Sequence, residues 1–163
     1  MHELQKGIVS AKELACYIID VYNKKFHKEI SPIKLQKSLY FSFAYWGGYV
    51  RKSHFLNTEI TVDKSEWLFD EDIEAWVYGP VVPEVYHEQN LDSYRNPNLF
   101  INNEDVKEYI DGVLDNILEV SDFKLVDVSH SDACWKNNFN PDSKTHNVVI
   151  NKDDIISEYA RLY

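Results

Sequence analysis

Three observations predict a mainly α protein with a minor β element. Capped segments with apolar residues at helical spacing recur along the chain. Only 59–62 and 73–78 alternate with the period of a strand. The composition, 44% hydrophobic and 27% charged over 163 residues, is that of a chain with a buried core rather than a disordered one. The expectation is a single compact domain spanning 1–163, with about six helices and a small β-hairpin or short sheet. No stretch reads as a linker, an internal repeat or a low-complexity segment.

Ser10-Ala11-Lys12-Glu13 has the form of a capping box, with a serine hydroxyl for one orphan N–H and a glutamate reaching back to another. Leu14, Ile18, Val21 and Tyr22 follow at helical spacing. Ser31-Pro32 opens the second helix, serine as N-cap and proline in the first turn. Its body, Ile33 to about Trp46, is apolar almost all round past Ser38, which predicts a central, buried helix. Gly47-Gly48 either ends that helix or admits another backbone at close range.

Glu59-Ile60-Thr61-Val62 and Ile73 to Tyr78 read as strands, with Asp70-Glu71-Asp72 as the turn-like cluster between them and Gly79-Pro80 as the stop. Pro83 starts a short helix through His87, and Asn90 to Asn98 reads as a polar loop. Asn103 caps a helix whose apolar face is Val106, Ile110, Val113, Leu114 and Ile117. Ser121 caps another, with Phe123, Leu125, Val126 and Val128 inward or close to it. Val148-Val149-Ile150 is a short strand candidate, and Asn151 starts a last helix carrying Ile155, Ile156, Tyr159 and Leu162.

A net charge of −10 argues against an overall nucleic-acid binder. Two distant cysteines, Cys16 and Cys134, without a CxxC pair, argue against a disulfide scaffold or a structural zinc site. Two reduced thiols in a cytoplasmic protein are the expectation. No apolar run approaches the ~18 residues of a membrane span. The opening residues, Met1 to Lys6, lack the apolar stretch of a signal peptide.

No catalytic, cofactor-binding or metal-binding constellation emerges. His130 stands in Ser129-His130-Ser131-Asp132, but a Ser–His–Asp triad needs side chains that converge in space, which sequence neighbours on one turn do not. The expected role is a buried histidine bonded to a backbone group beside Trp135. Cys134 reads as a packed thiol. The scattered histidines form no HExxH, and no glycine-rich phosphate cradle occurs.

Charge placement is more informative. Lys24, Lys25, Lys28, Lys34, Lys37, Arg51 and Lys52 face only Glu29 within 24–52. Two readings stay open. The strip receives an acidic partner or a phosphate backbone, or it is compensated internally by Asp70, Glu71, Asp72 and Glu74. Tyr40, Phe41, Phe43, Tyr45, Trp46 and Tyr49 crowd the second helix, and aromatic residues of this kind anchor protein interfaces. The residues therefore describe a binding protein rather than an enzyme. Its candidate partner surface is Lys34, Lys37, Tyr45, Trp46 and Tyr49.

Four segments together resemble one family: Lys34 to Phe41, Leu68 to Tyr86, Ser129 to Trp135, and the tail from Ile150 to Tyr159. In order over roughly residues 10–160, they are similar to the Panacea domain, also described as SocA-like or phage-associated GepA-type. The motif residues are Lys34, Leu35, Gln36, Lys37, Tyr40, Trp76, Tyr78, Gly79, Pro80, His130 and Trp135. They are expected to act in the fold core or in partner contact. The resemblance implies the antitoxin of a toxin–antitoxin system, often prophage-borne, that neutralises a cognate toxin by direct protein–protein binding. A proteolytic adaptor that delivers the toxin to a protease is the first alternative. A nucleic-acid-binding regulator using the strip 24–52 is the second, and homodimerisation stays open. The chain departs from the family pattern at Ser129, where threonine is favoured, at Cys134, where proline is favoured, and in a longer join from His54 to Glu66.

Overall fold

A computed structural model describes residues 7–56, 64–96, 101–142 and 148–162. Within them run α1 (Ala11–Phe26), α2 (Pro32–Phe55), β1 (Glu74–Trp76), β2 (Gly79–Val81), α3 (Pro83–Glu88), a 3₁₀ turn (Asp92–Arg95), α4 (Glu104–Ile117), α5 (Asp122–His130), α6 (Ala133–Lys136) and α7 (Lys152–Ala160). The protein is thus mainly α with one small antiparallel sheet. The expected strand at Glu59-Ile60-Thr61-Val62 lies outside the described residues.

Helix starts follow the caps. Ser10 and Glu13 form the reciprocal capping box of α1. The Ser31, Asn103, Ser121 and Asn151 side chains accept N–H bonds at the starts of α2, α4, α5 and α7. The single turn of α6 had no counterpart in the sequence reading. It begins at Asp132, and the Glu158 carboxylate accepts from the Ala133 and Cys134 N–H groups at 2.9 Å each.

Helix α2 is the spine. It is buried on nearly every side because α1, α4, α5, α7 and β2 all pack on it, α7 most extensively. It does not end near Trp46 but runs on to Phe55. Gly47-Gly48 serves close approach instead. A Cβ on Gly47 would sit 2.5 Å from Ile156 Cγ1, and one on Gly48 would sit 2.7 Å from the Tyr159 carbonyl carbon. The Tyr45 ring meets the edge of Tyr159 at 4.9 Å, closing the same seam.

The hairpin differs from expectation in its turn. Val77-Tyr78 make the bend, and Gly79-Pro80 belong to the returning strand, with Ala75 opposite Pro80 and Trp76 opposite Gly79. Asp70-Glu71-Asp72 precede the strand, and Asp70 accepts from Gly7 N–H at 2.7 Å. Residues 148–150 reach the sheet only through an isolated bridge, Glu74 to Val149. Ala75 N–H donates to Val148 O there, and Ile150 N–H to Ile73 O. Phe123 and Val128, expected inward or near it, are exposed, while Leu125 and Val126 are buried; Leu162, expected on the last helix, lies beyond its end and is exposed.

Candidate partner-binding site

The motif residues converge on the hairpin and clamp it. Gln36 of α2 makes a paired bond with Val82, accepting its N–H at 2.8 Å and donating to its carbonyl at 3.3 Å. Lys37, one helical position on, donates to Pro80 O at 2.8 Å. From the other side, Trp135 Nε1–H donates to Trp76 O at 2.8 Å and His130 Nε2 bonds Val77 O at 2.9 Å. The His130 ring stacks on Trp135 with centroids 4.1 Å apart. His130 therefore does bond a backbone group beside Trp135, although it is half-buried rather than buried.

Gly79 takes φ +105°, a left-handed conformation natural to glycine, and a Cβ there would collide with the Ser129 hydroxyl and crowd Lys37 Cε at 3.0 Å. The clamp thus leaves room only for glycine. Of the hairpin's own motif residues, Tyr78 is exposed and Trp76 half-buried, whereas Gly79 and Pro80 are buried.

Three motif residues anchor elsewhere, Lys34 among them. Leu35 is core, and Tyr40, fully buried, donates to Asp132 Oδ2 at 2.6 Å, as Tyr159 does from α7. Burial raises the Tyr40 hydroxyl pKa well above its ordinary value and that of Asp132 above the usual carboxylate range, the latter partly offset by the two hydroxyls. Cys134 lies 3.2 Å from the Tyr40 hydroxyl, and burial pushes its thiol up to about 12. It is a packed thiol.

Three of the five residues expected on a partner surface are not on the surface. Lys37 and Trp46 are 1% exposed and Lys34 is 8%. Lys34 donates to Leu118 O at 3.1 Å and pairs with Asp122 at 3.4 Å. Trp46 donates to Ser65 O at 2.9 Å. The basic strip is dispersed accordingly. Lys24 pairs with Asp20, Lys25 with Glu119, and Arg51 with Glu66 and Asp153. For these four cations, Lys24, Lys25, Lys34 and Arg51, compensation is internal, but its partners are not the 70–74 cluster: Asp72 pairs with Lys152 instead.

Tyr45 and Tyr49 remain half-buried. Tyr49 stacks on Tyr109 of α4 at 4.7 Å, and Tyr109 donates to Tyr45 O at 3.0 Å. Beside this joint, α2, α4 and α5 leave an open apolar groove of about 660 Å³. Phe41 and Tyr45 form its α2 side, while Glu108, Tyr109, Gly112, Val113, Asn116 and Ile117 line it from α4, and Leu125 and Val128 from α5. The sequence reading missed Tyr109, Gly112 and Val128 as groove residues. Gly112, an isolated glycine inside a helical pattern, was the available signal. A Cβ there would meet nothing within 4 Å. Among the described residues no group of three or more His, Cys, Asp or Glu is placed to hold a metal ion, and no helix is long and apolar enough to cross a membrane.

A mainly helical fold whose signature residues clamp a small hairpin, with an open groove alongside, defines the class. The chain matches the family model described as antitoxin SocA-like, Panacea domain, over residues 54–136, and it belongs to that family. The match contains the hairpin block and the Ser129–Trp135 block. It is narrower than the resemblance read over 10–160, since Lys34 to Phe41 and Ile150 to Tyr159 fall outside it. No curated protein and no solved structure matches the chain.

Proposed function

We propose that this protein is the antitoxin of a toxin–antitoxin pair and neutralises its cognate toxin by direct, non-enzymatic protein–protein binding. Membership of the SocA-like antitoxin family carries the reading. The half-exposed aromatic and aliphatic groove supports it, since a few buried apolar anchors supply most of the affinity of a protein interface. The whole chain acts as one binding domain in this reading, because α2, which lies almost wholly outside the matched segment, is the spine on which that segment packs. Dispersal of the basic strip into buried and paired lysines weakens the nucleic-acid alternative.

The test is co-expression with the product of the adjacent open reading frame. Growth arrest by the neighbour alone, rescued by this chain with a co-purifying complex, is the expected result. Rescue without a complex, with faster turnover of the neighbour, makes the protein a protease adaptor instead. A harmless neighbour removes the antitoxin reading for that pair.

A further inference from the structure

We infer that the α2–α4–α5 groove is the docking site for an amphipathic helix of the partner, apolar on the face that enters and rich in Lys or Arg along its flanks. This rests on the antitoxin reading for the partner's identity, but the recognition chemistry is set by the groove itself.

Shape selects a helix. Lining residues from Glu108 to Ile117 run along α4 in pairs one turn apart. At 1.5 Å per residue that wall is roughly 13 Å long, enough for apolar anchors at i, i+3, i+4 and i+7 of a guest helix, which span about 10 Å. Phe41 and Tyr45, four apart on α2, and Leu125 and Val128, three apart on α5, present helical rows to the same space.

Gly112 marks the groove as deliberate space. Glycine in a helix interior is unfavourable relative to alanine, and here neither φ nor packing requires it: a Cβ would point into the open. Its one structural effect is to leave the α4 wall bare where a guest backbone approaches.

Charge selects the flanks. The stretch 104–130, which carries both outer walls, holds eight carboxylates against Lys107 and Lys124; Asp111, Glu119 and Asp122 are engaged by Tyr17, Lys25 and Lys34, and the others are Glu104, Asp105, Glu108, Asp115 and Asp127. Glu108 itself lines the groove. A guest with basic flanks is attracted, and a second copy of this chain, which would bring the same acidic rim against itself, is repelled.

The probe is a synthetic helical peptide with leucine on one face and lysine on the other, compared with a twin carrying glutamate for lysine. Binding is read by fluorescence anisotropy against the full chain. The leucine–lysine peptide should bind wild type, weaken with added salt, and bind Gly112→Trp at least roughly tenfold more weakly, because the indole fills the groove. Gly112→Ala and Glu108→Lys should each bind a few-fold more weakly, and the glutamate twin not at all. Circular dichroism should show Gly112→Trp folded and no less stable than wild type. Absence of binding, equal binding by Gly112→Trp, or equal binding of the two peptides overturns the proposal. So does a wild-type dimer that Gly112→Trp splits, which reassigns the groove to a second copy. The two readings fail separately. If wild type and Gly112→Trp both rescue growth from the neighbouring gene product, the groove assignment falls and the antitoxin stands. If wild type does not rescue while the peptide data hold, the antitoxin reading falls and the groove remains a site for a basic amphipathic helix.

Discussion

Replacing Lys37 with methionine should stabilise the protein at neutral pH, and the gain should shrink as pH rises. Lys37 is 1% exposed, its ammonium position bonded to Pro80 O, and burial alone lowers its pKa from the ordinary 10.5 to about 7. In the unfolded chain the same amine titrates near 10.4. Between those values the unfolded chain holds a proton that the folded chain has partly released. Stability therefore rises with pH across the window: the burial penalty is full below pH 7 and fades towards 10.5. The limiting slope is about 1.4 kcal/mol per pH unit, and integrating the two titrations gives wild type a gain of roughly 2 kcal/mol on Lys37→Met between pH 7 and 9. At pH 7 the charge penalty is on the order of 4 kcal/mol, against a lost hydrogen bond worth about 1–3 kcal/mol with its carbonyl left buried, so the variant is the more stable protein there. The assay is urea unfolding of both proteins by tryptophan fluorescence at several pH values up to 9. The limit keeps clear of the buried tyrosines Tyr40 and Tyr159, whose raised pKa values cost stability only once the unfolded chain ionises near 10. A stability difference that stays flat from pH 7 to 9 would refute the buried, uncompensated amine.

Gly48→Ala should lower Tm by about 4–8 °C, since its Cβ meets backbone atoms of Tyr159 and Ala160 at 2.7 and 2.9 Å and overpacking of this kind costs about 2 kcal/mol. Gly112→Ala, facing open space, should instead raise Tm by a few degrees, both read by circular dichroism. Cys16 and Cys134 should not react with a thiol reagent in the native protein at pH 8, and both should react in denaturant, because both are buried with raised pKa values. Asp132→Ala leaves the buried Tyr40 and Tyr159 hydroxyls without their shared acceptor and should cost about 3 kcal/mol in urea unfolding.

Local chemistry was legible in the sequence, and tertiary chemistry was not. Caps at Ser10, Ser31, Asn103, Ser121 and Asn151 fixed five helix starts, because a cap is satisfied within three residues of itself. The continuation of α2 through Gly47-Gly48 depends on Ile156 and Tyr159, far along the chain. The acidic run 70–72 looked like a turn on composition, but the true bend at Val77-Tyr78 is held by α2, α5 and α6 through bonds to Pro80, Val77 and Trp76. Lys34 and Lys37 lie three apart, one turn along α2, and were expected on the partner surface. Which way their side chains look was decided by the hairpin and by the Leu118 carbonyl. The groove had only one mark in the sequence, an isolated glycine, because it exists between three helices and belongs to none of them.

The seam between α2 and α7 sets a timetable for the nascent chain. Arg51 and Ser157, bonded across that seam, are 106 positions apart. At ribosomal speeds of ~5–20 residues per second, α2 leaves the ribosome on the order of ten seconds before its main packing partner exists. For that interval Tyr40 and Tyr45 lack the Tyr159 ring that closes over them, so each newly made molecule passes through a stage with that side of α2 open to chaperones and proteases. Mature copies, with the seam shut, are past it.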